Sequence, residues 1–192
     1  MSKNIIKKAR EFVEKECRKP TSVYGYGPFV EHFLPMVGHC KFLQKKIGGD
    51  LEIILLSAWL HDIGSIIYGR KDHHLSSAKI AKEFLNKEYC DQNKIKLILK
   101  CIKNHRQSVG AKRNTIEEKI ISDADAICNF DMLPGLFYAT LVVGKLTPIE
   151  AAKSVKKKLE NKWKRLHFKE SKNIIRPKYD AVMLLLSEIS KL

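Results

Sequence analysis

Apolar residues recur at three- and four-residue steps through most of the chain, which is the spacing of an amphipathic helix. In the first such segment, Ile5, Ala9 and the Phe12-Val13 pair share one face. The pattern predicts helices at 5–17, 30–46, 51–63, 74–87, 91–104, 115–129, 131–143, 148–166 and 172–190. Because no segment alternates apolar and polar residues as a half-buried strand does, the sequence predicts an all-α fold.

Capping residues and glycines mark several of the predicted helix ends. Asp50 precedes the most apolar segment and is predicted to cap its first turn. The segment "TPIEAA" places Thr147, a proline and Glu150 in the order of a capping box, which predicts a helix start. The glycines in "GGD" are predicted to stop the helix before Asp50. Gly64 is predicted to stop the helix that begins after Asp50.

Composition indicates an ordinary globular protein. The 192 residues are 44% hydrophobic and 30% charged, which suits one domain with a substantial core. The longest apolar run, 51–60, is well short of the roughly 18 residues of a membrane span, and the charged N-terminus lacks the apolar centre of a signal peptide. Five scattered cysteines without a CxxC pair indicate reduced thiols in a cytoplasmic protein (Cys17, Cys40, Cys90, Cys101 and Cys128).

The chain carries a formal net charge of +15, and most of its basic residues are lysines. A basic protein attracts polyanions, so nucleic acid, nucleotides and acidic membranes are all candidate partners. A lysine-rich surface also occurs without any such partner, and readers of nucleic acid usually favour arginine. The charge therefore supports an anionic ligand without identifying it.

The predicted helix at 148–166 is both basic and amphipathic. An apolar stripe is formed by Ala152, Val155, Leu159, Trp163 and Leu166. The stripe is predicted to pack against the rest of the core, with the lysines on the wet face; a pocket mouth and a homodimer interface are alternative roles. The basic residues that could instead grip nucleic acid are Lys156, Lys157, Lys158, Lys162, Lys164 and Arg165. Packing is favoured, because no aromatic residues alternate with these cations to stack bases.

Histidines and aspartates lie inside or beside apolar helices in the first two thirds of the chain. The candidates are His32, His39, His61, Asp62, His73, His74, His105, Asp123 and Asp125. Ionised carboxylates in apolar surroundings are costly without a partner, and convergence on a cation would supply one. A mixed set of imidazole nitrogens and carboxylate oxygens suits Mn²⁺, Fe²⁺, Co²⁺, Ni²⁺ or Zn²⁺ better than Mg²⁺ or Ca²⁺.

The order and spacing of these residues resemble the HD-domain superfamily of metal-dependent phosphohydrolases. The resemblance runs through "EHFLPMVGHCKFLQKKIGGDLEIILLSAWLHDIG", "HHLSSAKIAKEFL", "IKNHR" and "IISDADAI". It implies an HD-domain-like helical bundle at about 28–130. Additional C-terminal helices, at about 131–192, are expected to pack on this core within a single domain, 1–192.

The resemblance also implies a set of metal ligands. His32, His61, Asp62 and Asp125 would hold one divalent ion, with Asp125 selected over Asp123 by the "AD" of the motif. His73 and His105 would either hold a second ion, with Asp62 as the bridge, or grip the substrate phosphate. Asp62, His73 and His105 are thus the predicted catalytic residues, and His39 lies outside the family's ligand set.

The implied reaction is hydrolysis of a phosphomonoester or phosphodiester in a small, nucleotide-like molecule by a metal-activated water. The residues predicted to contact the substrate are Arg106, His74 and Arg70. Many relatives carry Lys or Glu where this chain has Ser65, so the proton donor is left open among His74, Asp72 and the metal's water. A nucleic-acid phosphodiesterase and a non-catalytic regulatory HD domain are the alternative functions.

Overall fold

The computed structural model describes residues 2–88, 91–106 and 112–189. Its α-helices are α1 (Ser2–Arg18), α2 (Leu34–Ile47), α3 (Leu51–Leu60), α4 (Ile63–Tyr68), α5 (His73–Glu88), α6 (Gln92–Asn104), α7 (Ile116–Asp131), α8 (Leu133–Tyr138), α9 (Pro148–Lys164) and α10 (Lys169–Ile189). No strand occurs in the described residues, and the predicted all-α fold is confirmed. Cys90 lies outside the described residues, whereas the other four cysteines are buried.

The chain divides into two compact units, Met1–Ala124 and Asp125–Leu192. Helix α7 begins in the first unit and ends in the second. The sequence places the division between core and extension a few residues later, near residue 131. The prediction that the whole chain, 1–192, forms a single domain stays a prediction.

Helix α3 is the centre of the first unit, where it contacts α1, α2, α5 and α6. Every residue from Ile53 to Leu60 is buried. A helix that is apolar all round has no solvent face to offer, which is why it lies in the interior. Asp50 begins the helix as predicted, because its carboxylate accepts hydrogen bonds from the backbone N–H groups of Glu52 (2.9 Å) and Ile53 (3.2 Å).

The apolar region continues beyond residue 60, where the predicted apolar run ends. Leu51–Tyr68 forms an 18-residue window with a mean hydropathy of 1.4, which is long and apolar enough to cross a membrane. The expectation that no segment approaches this length is therefore wrong. Since 67% of the window is buried inside the protein, however, the segment has the surroundings of a core helix rather than of a lipid-facing one.

The predicted helix 51–63 is interrupted by a turn at His61 and Asp62. Gly64 does not end a helix, contrary to the prediction; it lies inside α4, a short helix that begins at Ile63. The reason for a glycine here is close packing, because a methyl group on Gly64 would lie 2.5 Å from the backbone nitrogen of Ser77. The close approach of the two backbones also lets the Gly64 N–H donate to Ser77 Oγ at 2.9 Å.

The helix predicted from residue 30 begins with a π-helical segment, Phe29–Phe33, that continues directly into α2. Phe29 and Phe33 are fully buried, and the ring of Phe29 stacks on Trp59 of α3 with centroids 5.9 Å apart. A π turn holds more residues than an α turn, and such turns are frequent at functional sites. His32 lies within this segment.

In the second unit, α9 packs against α10 and α8. The predicted capping box at Thr147 and Glu150 is present. The stripe residues Ala152, Val155, Leu159 and Leu166 are buried, and Trp163 stacks on Tyr179 of α10 with ring centroids 4.6 Å apart. Packing of this stripe on the first unit stays a prediction.

Candidate metal centre

Five side chains of the first unit converge from four places in the sequence. His32 comes from the π-helical segment, His61 and Asp62 from the turn after α3, His73 from the first residue of α5, and His105 from the end of α6. All four histidines and Asp62 belong to the predicted ligand set. Because α3 packs against both α5 and α6, its C-terminal turn is held beside the ends of its neighbours.

Three of the histidines are oriented in the same way, by a bond to the backbone three residues earlier. His61 Nδ1 contacts Ala58 O at 2.8 Å, His73 Nδ1 contacts Arg70 O at 2.9 Å, and His105 Nδ1 contacts Ile102 O at 2.6 Å. A carbonyl oxygen only accepts, so each Nδ1 carries the hydrogen. Each neutral ring therefore keeps its lone pair on Nε2, which is the tautomer that ligates a metal through Nε2.

The Nε2 atoms are arranged around the two oxygens of Asp62. Oδ2 lies 3.8 Å from His32 Nε2 and 3.7 Å from His61 Nε2, whereas Oδ1 lies 3.3 Å from His73 Nε2 and 3.4 Å from His105 Nε2. Each oxygen thus faces its own pair of imidazoles. These residues form two groups of three, with all ligand atoms of a group within 4.8 Å of one another, and Asp62 belongs to both.

The donor atoms fit a divalent transition ion. Asp62 Oδ1 is buried and has no hydrogen-bond partner among the described residues, despite its two imidazole neighbours. The Nε2 atoms of His32 and His61 are 3.0 Å apart, which is about the separation of two ligands that bind one ion at right angles and about 2.1 Å each. Clusters of His and Asp that can hold a metal are therefore present in the first unit.

Asp62 is ionised near neutral pH. Burial alone would raise the pKa of its carboxyl, but the positive charges that His61, His105 and His73 carry when they are protonated outweigh this effect and hold the pKa well below its usual range. The side chain is also 24% exposed, so the centre is open to solvent. An ion or a small substrate can reach it from that side.

Of the predicted substrate residues, Arg106 and His74 lie beside the centre. Burial lowers the pKa of His74, and the charges of Arg106, His73 and His105 lower it further. His74 is buried, and its Nδ1 has no partner among the described residues. Arg106 is partly exposed, and its guanidinium lies 3.8 Å from the carboxylate of Asp72.

Arg70 contributes to the centre through its backbone, because its carbonyl orients His73, while its side chain is exposed. His39 is half-buried on α2, and Asp123 is buried on α7. Asp125 is the first residue of the second unit, where its carboxylate contacts the ammonium of Lys162. The assignment of Asp125 as a ligand stays a prediction.

A buried carboxylate that is absent from the sequence-predicted site fixes the end of α6. Glu118 on α7 accepts hydrogen bonds from Asn104 Nδ2 (2.6 Å) and from the backbone N–H groups of Asn114 (3.1 Å) and Thr115 (3.0 Å). Asn104 directly precedes His105, so this network anchors the turn that carries that imidazole. The signal was present as T-x-x-E at 115–118, which is the pattern of a capping box.

The network makes a testable contribution to stability. Burial would raise the pKa of Glu118, but the hydrogen bonds from Asn104 and the two backbone N–H groups, together with the charge of Lys100, outweigh burial and lower the pKa below its usual range. The stabilisation is therefore complete above about pH 4.5 and is lost as pH falls through the lower, folded-state pKa. We expect Glu118→Gln to lower the free energy of unfolding by about 1–3 kcal/mol at pH 7 and by less at pH 3.5.

Urea unfolding at the two pH values measures this difference. The matched control is Glu83→Gln, which changes an exposed glutamate on α5 and is expected to shift the free energy of unfolding by less than about 0.5 kcal/mol. An equal loss at both pH values in Glu118→Gln would show that the charge of Glu118 contributes nothing.

Comparison with known proteins gives a family and a set of similar folds. The family model of the HD domain matches residues 29–129, and no curated protein matches the chain. The structure is similar to that of an HD-superfamily hydrolase from Bacillus thuringiensis, with a TM-score of 0.74, 16% identity, and coverage of 100% of this chain and 97% of that one.

Two further solved structures share the fold. A protein from Listeria innocua has a TM-score of 0.72 and 19% identity over 98% of this chain and 95% of its own. A protein from Lactobacillus plantarum has a TM-score of 0.76 and 15% identity over 98% of this chain and 96% of its own. The family match covers more than half of the chain and includes His32, His61, Asp62, His73 and His105, and the chain therefore belongs to the HD-domain family.

Proposed function

We propose that this protein is a metal-dependent phosphohydrolase that cleaves a phosphomonoester or phosphodiester bond in a small, nucleotide-like molecule. The observation that carries the proposal is the arrangement around Asp62, in which four imidazole Nε2 atoms surround the two oxygens of one carboxylate. A buried oxygen without a hydrogen-bond donor is costly. A resident cation accounts for its presence.

The ligands divide between two ions in this proposal. By the family resemblance, His32, His61, Asp62 and Asp125 would hold the first, and His73 and His105 would hold the second together with Asp62. The bridging role is supported by the distances, because Oδ2 faces one imidazole pair and Oδ1 faces the other. The mixed set of imidazole nitrogens and carboxylate oxygens suits Mn²⁺, Fe²⁺, Co²⁺, Ni²⁺ or Zn²⁺.

The chain supplies preorganised donors for the reaction. When bound, a divalent ion supplies a Lewis acid that lowers the pKa of coordinated water and neutralises charge on a phosphoryl group. The backbone carbonyls of Ala58, Arg70 and Ile102 fix three rings, so that little reorganisation is needed. Asp62 stays ionised, because its pKa is well below the usual range.

Arg106 is the best-placed residue to bind the substrate's phosphoryl oxygens. It follows His105 directly, it is partly exposed, and its charge acts on the neighbouring His74. A planar guanidinium binds phosphate through two parallel N–H donors. We assign Arg70 and His74 to the same role, which suits a small anionic substrate.

The proton donor to the leaving oxygen is not Ser65 in this proposal. Ser65 is buried on α4, and a serine hydroxyl is a weak acid. Asp72, His74 and the water of a bound metal ion are the candidate donors. Asp72 is exposed and adopts a left-handed backbone conformation with φ of 50°, which turns the chain immediately before His73.

The experiment is a metal analysis followed by an activity screen. Protein purified without chelator should contain about one to two divalent ions per chain, and it should hydrolyse small phosphoesters in the presence of Mn²⁺, Ni²⁺ or Fe²⁺ but not after treatment with EDTA. Stoichiometric metal without hydrolysis of any substrate would instead favour the regulatory HD domain.

A nucleic-acid substrate is separated by its salt dependence. Binding to generic RNA or DNA that weakens steeply with salt, together with cleavage of the polymer, would favour the nucleic-acid phosphodiesterase. We expect no cleavage of the polymer. Salt-sensitive binding without cleavage would reflect only the +15 net charge. The cytoplasmic location and a homodimeric state stay predictions.

A further inference from the structure

Lys162 is a largely buried lysine on α9, a helix that also carries exposed lysines. Its side chain is 13% exposed, whereas Lys153, Lys157 and Lys164 on the same helix are exposed. Its ammonium group contacts Oδ2 of Asp125, whose side chain is 11% exposed. The helical pattern predicts Lys162 on the wet, basic face of α9, and that prediction is wrong for this residue.

The contact is a buried ion pair rather than an incidental surface bridge. Burial of a lone ammonium or a lone carboxylate is costly, so each group depends on the other. Asn129, one turn after Asp125 on α7, also contacts this residue: its Nδ2 donates to Asp125 O at 2.6 Å and lies 3.5 Å from Oδ1. Within the second unit, the carboxylate is thus held on both sides.

The position of this pair matters because Asp125 is the terminal aspartate of the HD motif and, in the proposed function, a ligand of the first ion. A carboxylate oxygen in contact with an ammonium group is shielded from a second cation. A divalent ion that binds Asp125 must weaken this contact, and the two like-charged centres repel each other at short distance.

We propose that Lys162 is a positioning residue that acts as an internal cation: it neutralises and holds Asp125 in the metal-free protein, and it competes with the metal for that carboxylate. This inference rests on the proposed function, because it takes Asp125 as a ligand. Lys162 thereby stabilises the metal-free fold and lowers the affinity for the ion. The metal ion can therefore bind and dissociate rather than stay permanently bound.

The test is to measure stability and Mn²⁺ affinity for Lys162→Met, which keeps most of the side-chain volume and removes the charge. In EDTA, the melting temperature should fall by several degrees, because the largely buried carboxylate of Asp125 loses the ammonium group of Lys162. In titration calorimetry with Mn²⁺ alone, the association constant should rise about tenfold or more, because the repulsion is gone. Opposite shifts of these two quantities are the signature of the internal cation.

Two further variants separate charge from packing. Lys162→Arg keeps a cation and is expected to retain the weaker Mn²⁺ binding of the wild type. Lys157→Met removes an exposed lysine of α9 and is expected to change neither quantity. If Lys162→Met lowers both stability and Mn²⁺ affinity, the contact is merely structural and the inference is wrong.

Asp125→Asn distinguishes failure of the inference from failure of the proposed site. We expect this variant to bind Mn²⁺ at least about tenfold more weakly. If it does and Lys162→Met leaves the affinity unchanged, the ligand assignment stands and the role of Lys162 is refuted. If Asp125→Asn binds Mn²⁺ like the wild type, Asp125 does not belong to the centre, and the proposed ligand set fails together with the inference.

Discussion

Asp62→Ala is expected to lose its divalent ions and its hydrolytic activity together. Asp62 faces all four imidazoles of the centre, with each oxygen 3.3–3.8 Å from two Nε2 atoms. Its removal therefore deprives both groups of three of their shared anionic ligand. We expect activity to fall by more than about 100-fold, since loss of an outer-shell partner of a metal site alone costs 10–100-fold. Elemental analysis and a phosphoester assay on the same preparation measure the two losses.

The fold of the metal-free variant should survive, because Asp62 Oδ1 has no hydrogen-bond partner among the described residues that would be lost. A ligand at about 100 times its Kd stabilises a protein by about 2.7 kcal/mol. Mn²⁺ should thus raise the melting temperature of the wild type and leave that of Asp62→Ala unchanged. Asp180→Ala, which changes an exposed aspartate on α10, should respond as the wild type does. A variant at Asp62 that keeps its metal stoichiometry contradicts the assigned centre.

Gly64→Ala is expected to destabilise the protein by about 2–3 kcal/mol. The added methyl group would lie 2.5 Å from Ser77 N and 2.9 Å from His73 O, and it would also collide with Ser76 Oγ. Two of these atoms belong to the backbone of α5 and cannot rotate away. Since α5 begins at His73, the forced separation of α4 and α5 should also weaken Mn²⁺ binding. Thermal unfolding and titration calorimetry measure the two effects.

Gly38→Ala is the matched control. Gly38 lies on the exposed side of α2, and a methyl group there would meet nothing within 4 Å. Because alanine favours a helix over glycine, this variant should gain up to about 1 kcal/mol. If Gly64→Ala were as stable as Gly38→Ala, the close approach of α4 and α5 would not be a constraint on the fold.

The all-α fold, the start of α3 at Asp50 and the start of α9 at Thr147 follow from local rules. Helical periodicity and capping depend on residues only a few positions apart, so the sequence contains the whole signal. The HD family is equally accessible, because the order of His32, His61, Asp62, His73 and His105 is a property of the sequence alone. The structure adds that the four imidazoles among them meet around the carboxylate of Asp62.

Features that depend on distant contacts were not predictable. Gly64 has the pattern of a helix stop, yet its role is set by α5, which approaches its backbone from elsewhere in the chain. Lys162 has the pattern of a surface lysine, yet its partner Asp125 is 37 residues away. In both cases the residue type can be read from the sequence, but the contacts of the residue depend on how another helix packs against it.

The most direct test is a crystal structure of the protein grown with Mn²⁺ and measured with X-rays at an energy where manganese scatters anomalously. We expect one or two anomalous peaks beside Asp62, each about 2.0–2.3 Å from a carboxylate oxygen of Asp62 and from Nε2 atoms of the surrounding histidines. Peaks that lie elsewhere on the chain, or a centre around Asp62 that stays free of manganese while the protein binds it in solution, would show that the assigned metal centre is wrong.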